Sequence, residues 1–534
     1  MKKITILITL LVLYFPFSAQ NNTETVGINL SREQMFEDFD QFFNIIRDFS
    51  NQPKLRKLVT GFDVLAELEA LRPKIEYVES FGDFISILRI GTFLLLDTHA
   101  RMIQSTNQSF FRLGQATIDT SAISTVFRNY LATRSNIGVG GMLMTFYHDG
   151  KYYNHFRYRF TNRYTNEEIT LSNFRLVKYN GICVDDHIKN LLTTRRGFSW
   201  HIAWDNRHRK HFSKRFTIGN NSCFTAKYNE RLYTICLDSV NRVTYGVFPR
   251  EMRDSIANTW EPCDRNKRNE RWNVIYFEDY QVLYIYLSRM FPQEEGEELL
   301  QAIKETGRNR TIEKIIIDVR DNRGGSDFMW NDILSVIIKD TLKANVKRGF
   351  NYNKNMRHVL KNNYVNITDD FSLYRTEHID LLNNKKMFVL ESEWTIAPDS
   401  NSLLFGGNIY IFQNEFSYSA SMSLTAFAKQ FPQIISVGVP TGNISGFGIG
   451  PVVFQLNHSK YTFQMRTDVD LSVGQTPADF FQDTPEIVVF PTLEEQFFLI
   501  NMFPPGCRYS ECFLRNFDPL FRHIVIEQRH RWSE

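Results

Sequence analysis

The alternation of apolar and polar positions changes its rhythm twice along this chain. Over residues 30–95 it keeps a helical spacing, in MFEDFDQFFNIIRDF, FDVLAELEALRPKIE and FGDFISILRIGTFLLL. That pattern predicts a largely helical region, whose last helix runs into Asp97-Thr98-His99. Over residues 127–281 short runs such as MLMTFYHDGKYYNHFRYRF predict strands. Within them, residues 174–192 read as strand, tight Asn180-Gly181 turn, strand and helix. From Val282 onward, VLYIYL, EKIIIDV, KMFVL, IYIF and QIISVGV read as strands, with EEGEELLQAIKET and FMWNDILSVIIK as helices among them. Continuous apolar strands alternating with helices predict a mainly parallel sheet covered on both faces.

These shifts divide the chain into a leader (1–19), a helical region (27–126), a β-rich region (127–281), an α/β core (282–503) and a C-terminal tail (504–534). The leader carries Lys2 and Lys3 and then ITILITLLVLYFPFSA, which fits a signal peptide cut after Ser18 or Ala19. No later stretch reads as a bilayer span, so the expectation is an exported protein, in an extracellular, periplasmic or vacuolar compartment. The six cysteines are an even count compatible with disulfides, and none has the CxxC spacing of a zinc site. Cys507 and Cys512 are close enough in sequence to close a small loop. Formal charge is +3, near +1 once Lys2 and Lys3 are removed, which gives no electrostatic reason to expect nucleic acid. The charged, His-bearing run 195–215 therefore reads as a solvated loop. Glycosylation sequons include Asn443, beside the serine-rich segment discussed next.

Three places carry candidate chemistry. In residues 408–446, IYIF leads into FSYSASM and then a helical stripe of Leu424, Phe427, Ala428 and Phe431. Ser417, Ser419 and Ser421 thus sit where strand gives way to helix. A hydroxyl is exposed at such a turn beside free backbone N–H groups, which suits a nucleophile with an oxyanion site. Taken alone, the segment reads first as a plain helix N-cap and only second as a nucleophile turn. The second place is IIIDVRDNRGGSD (315–327), a buried strand ending in Asp318, Arg320, Asn322, Gly324 and Gly325. Ligand sites of open α/β sheets lie beyond the carboxyl ends of such strands. A turn braced by an Asp–Arg pair is the plainer reading of that run alone. The third is His99, a general base in waiting with the acidic Asp97 beside it.

Together these motifs resemble the tail-specific, or C-terminal-processing, serine proteases. That family carries D-x-R-x-N-x-G-G, then a serine turn of S-A-S-A-S-E type, then G-x-P-T. Here stand DVRDNRGG (318–325), SYSASM (417–422) and GVPT (438–441), in a register that puts the nucleophile at Ser419. The resemblance implies an oxyanion hole from Ala420 and the Gly324-Gly325 backbone. The processing branch uses a lysine that would align with Ile444, and none is near. The tricorn-like branch, which includes chlamydial protease-like activity factor, uses a D-x-H histidine and a late acidic residue. Asp97-Thr98-His99 resembles the first, with Thr98 and Asp97 supporting His99. Asp479, six residues before Pro485, aligns with the second, and Asp470 and Asp483 are less favoured substitutes.

The resemblance implies a crotonase/ClpP-like α/β core, a PDZ-like insert around Asn180-Gly181, a polypeptide substrate and no cofactor or metal. It leaves a homodimer open. The function it implies is a secreted serine endopeptidase without a catalytic lysine. The competing reading is an inactive binding or carrier protein on the same scaffold, toward which Met422 in place of the usual Glu leans.

Overall fold

The helical spacing near the N-terminus folds as helices Arg32–Phe49, Gln52–Thr60, Val64–Glu69 and Phe81–Leu94. These are seen in a computed structural model that describes residues 29–95, 97, 99–105, 112–114, 118–133, 141–148, 150–187, 200–204, 209–213, 215–219, 222–237, 240–246, 271–363, 374–441, 446–448, 450–493, 495–496 and 511–527. The first helix opens on a capping box: Gln34 N–H donates to the Ser31 hydroxyl and Ser31 N–H to Gln34 Oε1. Pro73 ends the helical run after Glu69 and leaves only a 3-10 turn, Arg72–Tyr77. The apolar faces of these helices bury Phe39, Phe42 and Phe84 against Phe454, Tyr461 and Phe463. Phe42 and Phe463 meet with ring centroids 5.0 Å apart. That packing lays the end of helix Phe81–Leu94 on the strand Thr462–Met465. The short strand Arg101–Met102 then pairs with it, Arg101 opposite Gln464. His99 is held two residues before that pairing.

The α/β core is a six-stranded sheet in the order Trp272–Phe277, Val282–Leu287, Lys314–Asp318, Asn408–Gln413, Ile434–Gly438, Ile487–Val488. Every neighbouring pair is parallel except the first, which is a hairpin. Helices Gln293–Gly307, Asp327–Ile337 and Ala420–Ala428 cover one face. The C-terminal residues Phe513, Leu514, Leu520, Phe521, Ile524 and Val525 cover the other, against Tyr284, Ile316, Tyr410 and Phe412. One predicted core strand lies elsewhere: KMFVL belongs to Lys385–Ile396, which pairs antiparallel with Leu342–Asn351 and Tyr374–Ile379 in a separate sheet. An apolar run marks a buried strand, but partners distant in sequence decide which sheet it joins.

The middle of the chain forms an eight-stranded sheet. Glu168–Tyr179 turns through Asn180 (φ 47°) and Gly181 (φ 80°) into Ile182–Cys183. Positive φ at both central residues is what a tight two-residue hairpin turn demands. In the same sheet Cys223 faces Cys236 across two antiparallel strands, joined by a disulfide. Cys183 is an exposed free thiol, and Cys263, Cys507 and the side chain of Cys512 lie outside the described residues. Among the described residues no helix is long and apolar enough to cross a membrane.

Candidate active site

The parallel pairing of Lys314–Asp318 with Asn408–Gln413 sets Asp318 beside Phe412. The loops leaving these two strands, one with the paired glycines and one with the serines, therefore emerge side by side. Three buried polar contacts tie them together. Ser417 Oγ donates to Val319 O at 2.8 Å, and Tyr418 N–H to Asn322 O at 2.9 Å. Ser421 Oγ donates to Asn322 Oδ1 at 2.8 Å. Two of the three serines in the turn thus have structural partners.

Ser419 is different. It is the N-cap of helix Ala420–Ala428 with φ 59° and ψ −120°, a conformation rare for any residue with a Cβ. The Ser419 hydroxyl makes no hydrogen bond among the described residues, not even the cap bond its position invites. This is a strained turn between strand and helix, a geometry able to expose a hydroxyl. Ala420 N–H is the first amide of the helix, with no intrahelical acceptor. All nine residues of that helix are buried, so the turn is rigidly seated.

The glycine loop closes on it. Gly324 has φ 82°, and a Cβ there would lie 2.5 Å from Ser419 Cβ. Gly324 N–H is already committed, donating to Asn322 Oδ1 at 2.9 Å. This differs from the oxyanion role expected of it. The N–H groups of Gly325, in this loop, and of Ala420, in the serine turn, have no acceptor among the described residues. Gly325 has φ 143°, and a Cβ there would lie 1.9 Å from Met290 O. Gly325→Ala is accordingly expected to lose about 3 kcal/mol or more of stability, together with activity, checked by denaturant titration.

Asp318 and Arg320, at the start of the same loop, form a strut. The Asp318 carboxylate accepts from the Tyr284 hydroxyl at 2.7 Å and from Arg320 Nε at 3.0 Å. Arg320 also reaches Asp518 of the C-terminal segment at 2.6 Å. Burial pushes the Asp518 carboxyl up from its ordinary range, with Arg320 pulling the other way. Burial also opposes the Arg320 charge, but the two carboxylates hold its pKa well above the usual value.

His99 approaches from the helical region. Its ring lies against Tyr418, the residue before Ser419, with centroids 4.5 Å apart and planes at 41°. Asp97 Oδ1 accepts from His99 N–H at 2.9 Å and lies 3.2 Å from His99 Nδ1. Its other oxygen accepts from Arg466 N–H at 3.0 Å. Burial disfavours the Asp97 charge, yet His99 and the amides of Arg466 and His99 hold its carboxyl below the ordinary range. No hydrogen bond joins His99 to Ser419 among the described residues. Thr98 lies outside the described residues.

The late acids are elsewhere. Asp479 caps its own short helix, accepting from Thr476 N–H at 2.9 Å and Thr476 Oγ1 at 2.8 Å, and has no bond to His99. Asp483 is ion-paired with Lys429. Asp470 accepts from Phe447 N–H at 2.8 Å and from Ser472 N–H at 2.8 Å. Burial pushes the Asp470 carboxyl up. Two site residues carry no local sequence signal: Arg466, which pairs with Asp468 at 2.9 Å beneath Asp97, and Tyr418. Asn443 and Ile444 lie outside the described residues.

The α/β sheet thus brings a serine turn, a glycine loop and a histidine to one place. Residues 281–465 match the model of peptidase family S41, which supports a serine-type peptidase. No curated protein matches it. Among solved structures it is similar to mature CPAF, at 14% identity over 93% of this chain and 99% of that one, with TM-score 0.49. It is also similar to the photosystem II D1 C-terminal processing protease, at 11% identity over 86% of this chain and 94% of that one, TM-score 0.35. The tricorn protease matches at 13% identity over 94% of this chain and 37% of that one, TM-score 0.34. These overlaps are too loose to transfer any residue role.

Proposed function

We propose that this chain is an exported serine endopeptidase working through Ser419, His99 and Asp97, without a catalytic lysine. The observation that carries the proposal is the strained Ser419, whose hydroxyl makes no hydrogen bond among the described residues, with the Ala420 amide next to it likewise unclaimed. His99 Nε2 takes the proton of Ser419 as Oγ attacks the peptide carbonyl carbon. The carbonyl π pair moves onto oxygen, where Gly325 and Ala420 N–H groups receive it. The imidazolium then protonates the leaving amine, and water repeats the cycle on the acyl-enzyme. Asp97, bonded at the Nδ1 edge, fixes the tautomer and balances the imidazolium charge. We assign that role to Asp97 in place of Asp479, whose Oδ2 is engaged in the helix cap and which makes no bond to His99 among the described residues.

Lys429 does not suit a serine–lysine mechanism. It stands at the far end of the helix, about 15 Å along by helical rise, and is ion-paired with Asp483. The mainly parallel sheet supports a crotonase/ClpP-like core, and the tight Asn180-Gly181 turn supports a PDZ-like insert. The Cys223–Cys236 disulfide supports an oxidising compartment. One observation favours the rival reading of an inactive binding protein, namely that His99 and Ser419 are not hydrogen-bonded. Catalytic hydrogen bonds often tighten only when substrate binds, so the endopeptidase reading is preferred.

Fluorophosphonate labelling with peptide mass spectrometry tests it. The expected result is a single adduct at Ser419, lost in Ser419→Ala and His99→Ala. A folded wild-type protein that takes no label would sink the proposal and leave the binding role.

A further inference from the structure

We propose that Tyr418 is a positioning residue of this reaction. Its ring holds the His99 imidazole beside the nucleophile turn and stabilises the imidazolium that forms there. The inference rests on the assignment of Ser419 and His99 above.

His99 is gripped from two sides. Asp97, itself 5% exposed, holds the Nδ1 edge, and the Tyr418 ring lies 4.5 Å from the imidazole centroid. The backbone that carries this ring is pinned on both sides of the Cα. Tyr418 N–H donates to Asn322 O at 2.9 Å, and Tyr418 O accepts from Ser421 N–H at 3.3 Å. Gly324 packs directly on the same carbonyl, where even a Cβ would approach to 2.5 Å. The turn that carries Ser419 therefore also fixes the backbone from which the Tyr418 ring projects. One rigid element sets both the nucleophile and a wall of the base's socket.

The chemistry gives that wall a second effect. When the Ser419 proton moves to His99 Nε2, the Oγ electron pair forms the new C–O bond and a positive charge appears on the imidazole. An aromatic face within about 6 Å attracts a cation through its quadrupole, and more strongly where water is scarce. His99 has only 22% of its side chain exposed. An uncharged imidazole gains little from the same contact. The stabilisation is thus differential, and it lowers the barrier without tightening substrate binding. When the proton passes on to the leaving nitrogen as the C–N bond breaks, the charge and the extra attraction vanish together.

The test is steady-state kinetics of the full chain on a peptide substrate, with Tyr418→Leu, Tyr418→Met and Tyr418→Phe. Tyr418→Leu and Tyr418→Met are expected to lower kcat about three- to thirtyfold at unchanged KM, and to slow fluorophosphonate labelling in parallel. Tyr418→Phe keeps the ring and should retain kcat within about twofold. Rescue by Phe separates a ring effect from misfolding, and melting curves of all three variants check the fold. Unchanged or faster turnover in both Leu and Met variants overturns the proposal. So does an equal loss in Tyr418→Phe, which would assign the effect to the hydroxyl. A raised KM with unchanged kcat would make Tyr418 a substrate contact and overturn it as well. An unlabelled, inactive wild type sinks the assignment of Ser419 and His99 first. A labelled, active wild type with indifferent Tyr418 variants sinks this inference alone.

Discussion

Ser419→Ala is expected to lower peptide hydrolysis about a millionfold, because a nucleophile and its base act as a unit. The more telling comparison is with Ser419→Gly. Both variants lack the hydroxyl and both should be inactive. Ala keeps a Cβ in the φ 59°, ψ −120° conformation and so keeps its strain. Gly adopts that conformation freely, relieving about 1–3 kcal/mol. Against this stands the greater freedom of Gly in the unfolded chain, which costs about 0.5–1 kcal/mol. Ser419→Gly should therefore melt at or above Ser419→Ala, by up to a few degrees. A Ser419→Gly protein clearly less stable than Ser419→Ala would mean that the elbow holds no strain. The strain assigned to the nucleophile would then be withdrawn.

Asp97→Asn should lower kcat about ten-thousandfold, by analogy with amide replacement of the orienting carboxylate in a serine triad. The physical reason is local. Asp97 is the only carboxylate bonded to His99 among the described residues, and its second oxygen is held by Arg466 N–H. An amide at this position offers one acceptor and presents a donor to the other partner. His99 would then favour the wrong tautomer or rotate away. Asp479→Asn, by contrast, should leave kcat within about threefold and weaken only its short helix, by about 1 kcal/mol. Kinetics of the two variants side by side decide between the acids. A large loss in Asp479→Asn with an intact Asp97→Asn would restore the late acid and remove Asp97 from the mechanism.

Much of this site was legible because its parts are local. The switch from strand to helix around Ser419 follows from apolar spacing within a few residues. The paired glycines announce a backbone that side chains cannot occupy, and Gly324 and Gly325 have φ 82° and 143°. Asp97-Thr98-His99 stood out only because a family motif lent it weight. Where the structure departs from what the sequence suggested, the cause is non-local. Gly324 was expected to offer its amide, but Asn322 folds back and takes it. Asp479 was aligned by spacing to a strand, and spacing does not say where a carboxylate points. Tyr418 and Arg466 gave no signal, since an aromatic or an arginine at those positions reads as ordinary.

By itself, then, the sequence determined much of the succession of elements and the serine turn between strand and helix, both set by short-range propensity and patterning. Only the tertiary structure decided which groups meet. Parallel pairing of two strands some ninety residues apart brought the glycine loop onto Ser419. Packing of the helical region on Thr462–Met465 delivered Asp97 and His99 to the serine turn. Such meetings depend on burial of distant apolar faces and on competition for hydrogen-bond partners, neither of which is encoded within any one segment.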